Sequence, residues 1–413
     1  MVCSRTGHIR QAFALALAGG LLVVPDATRG ESRLAPGRTT YLTIPNVPGP
    51  NAVYLPTNTA TGRTWPLLVH YHGADGRANV ETWRRYTRGR DWVLLGMEYR
   101  ERGSRGTLAA ESRNLHRAVA FLAEEVGIDS DRVYLAGFSK GGWWASMLGE
   151  YEIDRIAGMI ILGAGRPRRA RALPRELNGK PIYIGVGSEE INWMPARRAA
   201  VVYRSMGAGV SFEEFAGLGH AVPGRAPGLA DWLEAAGPLH AGRRRPATEQ
   251  VLVDWYRTAY ASALQETNGI LQHRALLQLA TNAKLALCGS TARRQVARRL
   301  KQLRAENDVA ADWMAQQRLD ALLWKEFKMD VLDDMQAVVD GLRGLAKDFP
   351  ETPSGARAGA HAERVEAALA ESREATDAAR ARVAREAAEK ESRATDRDRL
   401  KGPTRGIRRI ESE

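Results

Sequence analysis

Three short segments pair a reactive side chain with glycines that would leave it exposed. The first, Gly137-Phe138-Ser139-Lys140-Gly141-Gly142, is a G-x-S-x-G pattern between a β-rich run at 132–136 and a helical stretch that begins near Gly142. Glycines two before and two after Ser139 let the flanking backbones approach without a Cβ clash. A serine held on such a turn can attack a carbonyl carbon once a base takes its proton. The second segment, Gly217-Leu218-Gly219-His220-Ala221, supplies the base. Of the eight histidines, His8 falls in an N-terminal segment, His70 in a strand run and His116 in a helical run. His240, His273 and His361 come later in the chain, so His220 alone lies in a loop after the last strand run. The third segment, Gly187-Ser188-Glu189-Glu190, offers a carboxylate to orient the imidazole and stabilise its charged form. Glu190 is the expected acid and Glu189 the alternative.

A tetrahedral oxyanion needs two amides waiting for it, one after the nucleophile and one from an earlier strand end. The backbone N–H of Lys140 fits the first, and that of Ala74 or Gly73, in His72-Gly73-Ala74-Asp75-Gly76, fits the second. The Lys140 side chain is given no role in the chemistry, and His72 is expected to hold the loop. Trp143, Trp144 and Trp193 flank these segments. Trp193 and Trp143 are candidates to line a substrate surface.

The elements that must carry these segments alternate along the chain. Apolar or β-rich runs at 41–44, 51–55, 65–71, 92–97, 132–136, 156–162, 181–186 and 210–215 read as strands. Helical spacing appears at 111–126 and 196–206. Near-continuous apolar strands alternating with helices predict an α/β, doubly wound, mostly parallel sheet covered on both faces. Ligands bind such sheets beyond the carboxyl ends of the strands, where all the chemical segments fall.

In these four motifs and their order, residues 38–236 resemble the α/β-hydrolase superfamily, in particular secreted esterases and polyhydroxybutyrate-depolymerase-like serine hydrolases. The Gly141-Gly142 doublet is also similar to that of prolyl-oligopeptidase-type enzymes. The resemblance implies a carboxylic ester hydrolase that works through an acyl-enzyme, with Ser139 as nucleophile, His220 as base and Glu190 as orienting acid. It implies neither cofactor nor metal. The family usually has aspartate where Glu190 stands. No long lid interrupts the core strands, which favours small soluble or polymeric esters over lipids. A non-catalytic binding scaffold and a serine peptidase are the alternatives.

The rest of the chain sets the boundaries. Its 413 residues exceed one ordinary domain, and 44% hydrophobic with 26% charged residues is the balance of a globular protein. Arg5, His8 and Arg10 ahead of the apolar run 12–24 predict a signal peptide over 1–30, and so a secreted or periplasmic protein. That run is too short to span a bilayer, and no transmembrane helix is expected. Two cysteines, Cys3 and Cys288, exclude a disulfide scaffold and a cysteine-based zinc site, and Cys288 reads as a core position. Residues 237–248 read as a linker. A helical domain follows over 249–350, then a charged, alanine-rich helix over 351–401 and a disordered tail over 402–413. The helices around the Phe349-Pro350-Glu351-Thr352-Pro353 break resemble one hairpin of a tetratricopeptide-type repeat, without a clear period. The helical region is the surface expected to meet a protein partner. Net charge is +12, and Arg293, Arg294, Arg298, Arg299, Lys301 and Arg304 concentrate part of it. No nucleic-acid motif accompanies them, so they read as a solvated helix face.

Overall fold

A strand buried on both faces has no polar side to show, and the apolar runs become strands accordingly. The computed structural model describes residues 34–59, 64–74, 76–99, 105–167, 177, 179–237, 246–328 and 332–400. The expected export signal, linker residues 238–245 and the tail 402–413 lie outside the described residues. In chain order come β1 (Thr39–Leu42), β2 (Asn51–Tyr54), β3 (Trp65–Tyr71), α1 (Glu81–Tyr86), β4 (Val93–Met97) and α2 (Arg105–Val126). They are followed by β5 (Ile128–Phe138), α3 (Lys140–Tyr151), β6 (Gly158–Leu162), β7 (Pro181–Gly187), α4 (Trp193–Ser205), β8 (Gly209–Phe215) and α5 (Pro227–Ala236).

The strands form one sheet in the order β1-β2-β4-β3-β5-β6-β7-β8. β2 pairs antiparallel with β1 and β4, and every pairing from β4 to β8 is parallel. This mostly parallel sheet, with β5 turning through the Ser139 segment into α3, is the α/β-hydrolase fold. Side chains alternate across it, as a two-residue period requires. Leu67, Val69 and Tyr71 of β3 enter the core that also holds Leu115 of α2, Leu148 of α3 and Ala199 of α4. Leu68 faces the opposite way, toward Trp83 of α1 and Trp232 of α5.

Several boundaries shift by a few residues from the sequence reading, and two of the shifts have a clear cause. β5 begins at Ile128, because Ile128 pairs with Trp65 across the sheet and carries the polar residues 129–131 into the strand. α3 begins at Lys140 rather than at the glycine doublet, because Ser139 itself is the helix cap.

The second half of the chain is helical: α6 (Pro246–Leu264), α7 (Gly269–Ala280), α8 (Ala283–Leu287), α9 (Ser290–Leu303), α10 (Asn307–Lys328), α11 (Leu332–Asp348) and α12 (Pro353–Leu400). From α6 to α9, Leu276, Leu285, Val296 and Leu300 close a small core of their own, which includes Cys288. α10, α11 and α12 instead send Leu319, Leu323, Val338, Leu342 and Ala358 into the core beneath the sheet. The described residues from 34 to 400 accordingly belong to one compact unit. α12 is partly buried as far as Leu369 and exposed over 373–391. Among the described residues no helix is long and apolar enough to cross a membrane.

Candidate active site

β5 ends at Phe138 and α3 starts at Lys140, so a single residue reverses the chain. Ser139 does so at φ 54°, ψ −123°. A conformation this sparsely populated costs a non-glycine residue roughly 1–3 kcal/mol and persists only where its surroundings impose it. Here the Ser139 N–H donates to the Leu162 carbonyl of β6 at 2.9 Å, and its carbonyl accepts from the Trp143 N–H at 3.1 Å. The flanking glycines are required by space. A Cβ on Gly141 would stand 1.9 Å from the Tyr71 carbonyl oxygen, and one on Gly137 would stand 2.1 Å from that of Gly141.

The expected acid lies on the turn after β7. The Glu190 side chain is 1% exposed. Its backbone carbonyl accepts from the Trp193 N–H at 2.9 Å, which ties the turn to the start of α4. The Asn192 side chain donates to the Gly163 carbonyl at 2.9 Å and pins the turn to the end of β6. Glu189, the alternative acid, is exposed, and its backbone N–H donates to the Leu218 carbonyl at 3.1 Å.

The histidine loop is laid directly on this turn. A Cβ on Gly187 would stand 1.9 Å from the Leu218 carbonyl oxygen, and the Ser188 hydroxyl accepts from the Gly217 N–H at 2.8 Å. His220 is thereby placed with Nδ1 2.6 Å from Glu190 Oε1 and Nε2 2.8 Å from Ser139 Oγ. An ionised carboxylate can only accept, so Nδ1 carries the proton and Nε2 is free to receive one from the serine. The ring stacks on Phe138 with centroids 5.0 Å apart, and the side chain as a whole is 43% exposed. Glu190 Oε2 is buried without a hydrogen-bond partner, so the carboxylate meets His220 through Oε1.

The loop after β3 borders the serine. A Cβ on Gly73 would lie 3.8 Å from Ser139 Cβ. Buried His72 holds that loop, with Nδ1 2.8 Å from the Gly73 carbonyl oxygen, while its own carbonyl accepts from the Tyr99 hydroxyl at 2.8 Å. Ala74 follows on this loop, and Lys140 contributes the first amide of α3. The arrangement therefore puts a hydroxyl, an imidazole and a carboxylate in one line, beside a loop and a helix start that can present amides.

The tryptophans separate. Trp143 is half-buried against the core and Trp144 is buried beside Tyr99. Trp193, expected to line a substrate surface, is only 5% exposed, with its indole N–H donating to Glu214 Oε2 at 2.7 Å. It is enclosed because Arg357 of α12 lies over its ring, 3.9 Å from the centroid. Sequence reasoning missed Phe138, although it sits inside the G-x-S-x-G pattern, and it missed Glu214 and Arg357, which no local pattern marks. Among the described residues no three His, Cys, Asp or Glu side chains cluster as metal ligands would.

No protein-family model matches the sequence, and no curated protein matches it. Solved structures do resemble the chain at low identity. A thermostable esterase is 18% identical with a TM-score of 0.35, over 43% of this chain and 54% of its own length. A carboxylesterase from Mesorhizobium loti is 18% identical with a TM-score of 0.38, over 50% of this chain and 99% of its own. A bacterial heroin esterase is 19% identical with a TM-score of 0.40, over 48% of this chain and 83% of its own.

Proposed function

We propose that the chain is a serine hydrolase that cleaves a carboxylic ester through an acyl-enzyme. One observation carries the reading: Ser139 Oγ, the His220 ring and the buried Glu190 carboxylate form an unbroken relay with steps of 2.8 Å and 2.6 Å. As Ser139 Oγ bonds to the ester carbon, its proton passes to His220 Nε2. The Lys140 N–H, with that of Ala74 or Gly73, holds the oxyanion. His220 then returns the proton to the departing alkoxide, and the alcohol leaves. Water enters by the same route: His220 takes its proton, the new C–O bond forms, and the acid departs as Ser139 recovers its hydrogen. Glu190 holds the imidazole in the productive tautomer throughout.

The partly exposed His220 side chain suits a small or polymeric ester that approaches from solvent. The basic head and apolar run at the N-terminus support placing this enzyme outside the cytoplasm.

A fluorophosphonate probe should label the full-length protein at Ser139, and Ser139→Ala should lose the label. Hydrolysis of p-nitrophenyl acetate should fall by about 10⁶-fold in that variant, the loss typical of removing such a nucleophile. Wild-type turnover in Ser139→Ala would refute the assignment. A panel of acyl esters, feruloyl esters and aminoacyl amides would then sort the substrate class.

A further inference from the structure

The relay stands on two loops, and both are gripped by the second half of the chain. Trp193 follows Glu190 by three residues and opens α4. Glu214 lies near the end of β8, six residues before His220. These two side chains meet through the indole N–H, and Arg357, in the first turn of α12, closes the triangle. Its Nη1 donates to Glu214 Oε2 at 2.9 Å and its Nη2 to Oε1 at 2.5 Å, while the guanidinium covers the Trp193 ring. Burial alone would raise the Glu214 carboxyl, but the hydrogen bonds and charge of Arg357, with the Trp193 N–H, hold it below the usual range.

Arg357 is itself firmly placed. Ser354, three residues earlier, donates to Asp312 of α10 from its N–H at 3.3 Å and its hydroxyl at 2.9 Å. Arg274 of α7 holds the other oxygen of that carboxylate at 3.2 Å. α4, which carries the acid turn at its start, is held twice more. Arg197 makes a two-pronged pair with Asp320, both bonds at 2.9 Å. Arg198 reaches the fully buried Glu326 at 2.8 Å, and His361 of α12 meets that carboxylate at 3.0 Å.

We infer that Arg357 is a positioning residue for the Glu190 and His220 loops, and that α10 and α12 act as a built-in brace of the active site. The inference rests on the serine-hydrolase reading for its catalytic consequence, while the mechanical coupling stands on its own contacts. A guanidinium that spans the strand leading to the histidine and the helix following the acid fixes one against the other. Removing it leaves a largely buried carboxylate without its cation, which both loops must then accommodate.

The test compares full-length wild type with Arg357→Met, Arg357→Lys, Trp193→Phe and Arg343→Met. Arg343 of α11 pairs with Glu366 of α12, and both side chains are largely exposed. Its variant controls for the loss of an ordinary helix-to-helix ion pair. Arg357→Met should lower kcat on p-nitrophenyl acetate by about 10- to 100-fold with KM within about twofold, since small misplacements of reacting groups carry losses of that order. Lysine should restore part of the loss. Trp193→Phe keeps an aromatic face beneath the guanidinium but loses the N–H donor and one of the two fused rings, so its kcat should fall by less. Hydrogen exchange at 188–193 and 216–221 should quicken together in Arg357→Met and stay unchanged in Arg343→Met.

Wild-type kcat and exchange in both Arg357→Met and Trp193→Phe would overturn the proposal. A lower melting temperature with unchanged kcat would reduce Arg357 to a structural tie and overturn it equally. Should Arg357→Met fail to fold, Trp193→Phe decides by the same measurements. If the wild type never reacts with the probe, the hydrolase reading fails, and the exchange arm alone decides whether the brace exists.

Discussion

The carboxyl ends of the strands that hold the relay and the helices packed behind them are secured by opposite means. At the strand ends, backbone lies on backbone. Gly141 admits the Tyr71 carbonyl and Gly187 admits the Leu218 carbonyl, each at a distance that any side chain would violate. In the helices, side chain grips side chain across long stretches of sequence: Arg197 with Asp320, Arg198 and His361 each with Glu326, Arg357 with Glu214. A backbone contact has no slack, because neither partner has a rotamer to change. An ion pair has several, and its loss is graded by how much solvent can enter. The line of three groups from Ser139 to Glu190 therefore rests on rigid contacts close by and adjustable ones further out.

That contrast can be broken at several points, the largest effect first. Glu190→Gln should lower kcat by about 10⁴-fold, because the amide no longer selects the imidazole tautomer that leaves Nε2 as the acceptor. Steady-state hydrolysis measures it, and a loss below tenfold would remove the acid role from Glu190. Gly187→Ala should lower kcat/KM by about 10²-fold, as its methyl pushes the Leu218 carbonyl and the histidine loop outward. Unchanged kinetics would show the loop to be adjustable and erase the distinction between the two regions.

Buried carboxylates test the same contrast through stability. Glu326 is enclosed with two partners, whereas Glu111 on α2 has one oxygen, Oε1, buried and unpaired. Burial pushes the Glu111 carboxyl from its ordinary value of 4.5 up to about 7, with the Asn114 hydrogen bond opposing only in part. The unfolded chain releases that proton first, so stability falls as pH rises from 4.5 toward 7 and levels off above. Glu111→Gln should match wild type at about pH 4.5 and exceed it by roughly 1–3 kcal/mol at about pH 8 in urea unfolding. A difference that stays constant with pH would mean that burial is not the cause.

The smallest expected effect lies in the helices. A Cβ on Gly344 of α11 meets nothing within 4 Å, so Gly344→Ala should stabilise the fold by roughly 0.5–1 kcal/mol in thermal unfolding and leave hydrolysis untouched. Set beside Gly187→Ala, it asks whether the same substitution separates a backbone contact from an open surface.

The parts held by backbone contact were the parts legible in advance. Ser139, His220 and the acid turn follow local rules: glycines at fixed offsets, apolar runs ending in loops, and a chain order of nucleophile, acid and base. Strand ends were less legible where polar residues continued a ladder, as at 129–131, because pairing with a neighbour is not written in a strand's own composition. Two adjacent glutamates are chemically alike, and only burial of one and exposure of the other distinguishes them. Trp193 looks from its neighbours like a surface for substrate, yet a guanidinium from a helix 164 residues further on closes over it.

Residue types and spacing thus determined which groups could do the chemistry and on which ends of which strands they would stand. The tertiary structure decided which carboxylate meets the imidazole and which distant arginine steadies them both. The reason is physical: a turn depends on a few consecutive dihedral angles, whereas an ion pair between remote elements exists only after their packing has brought the charges together and taken water away.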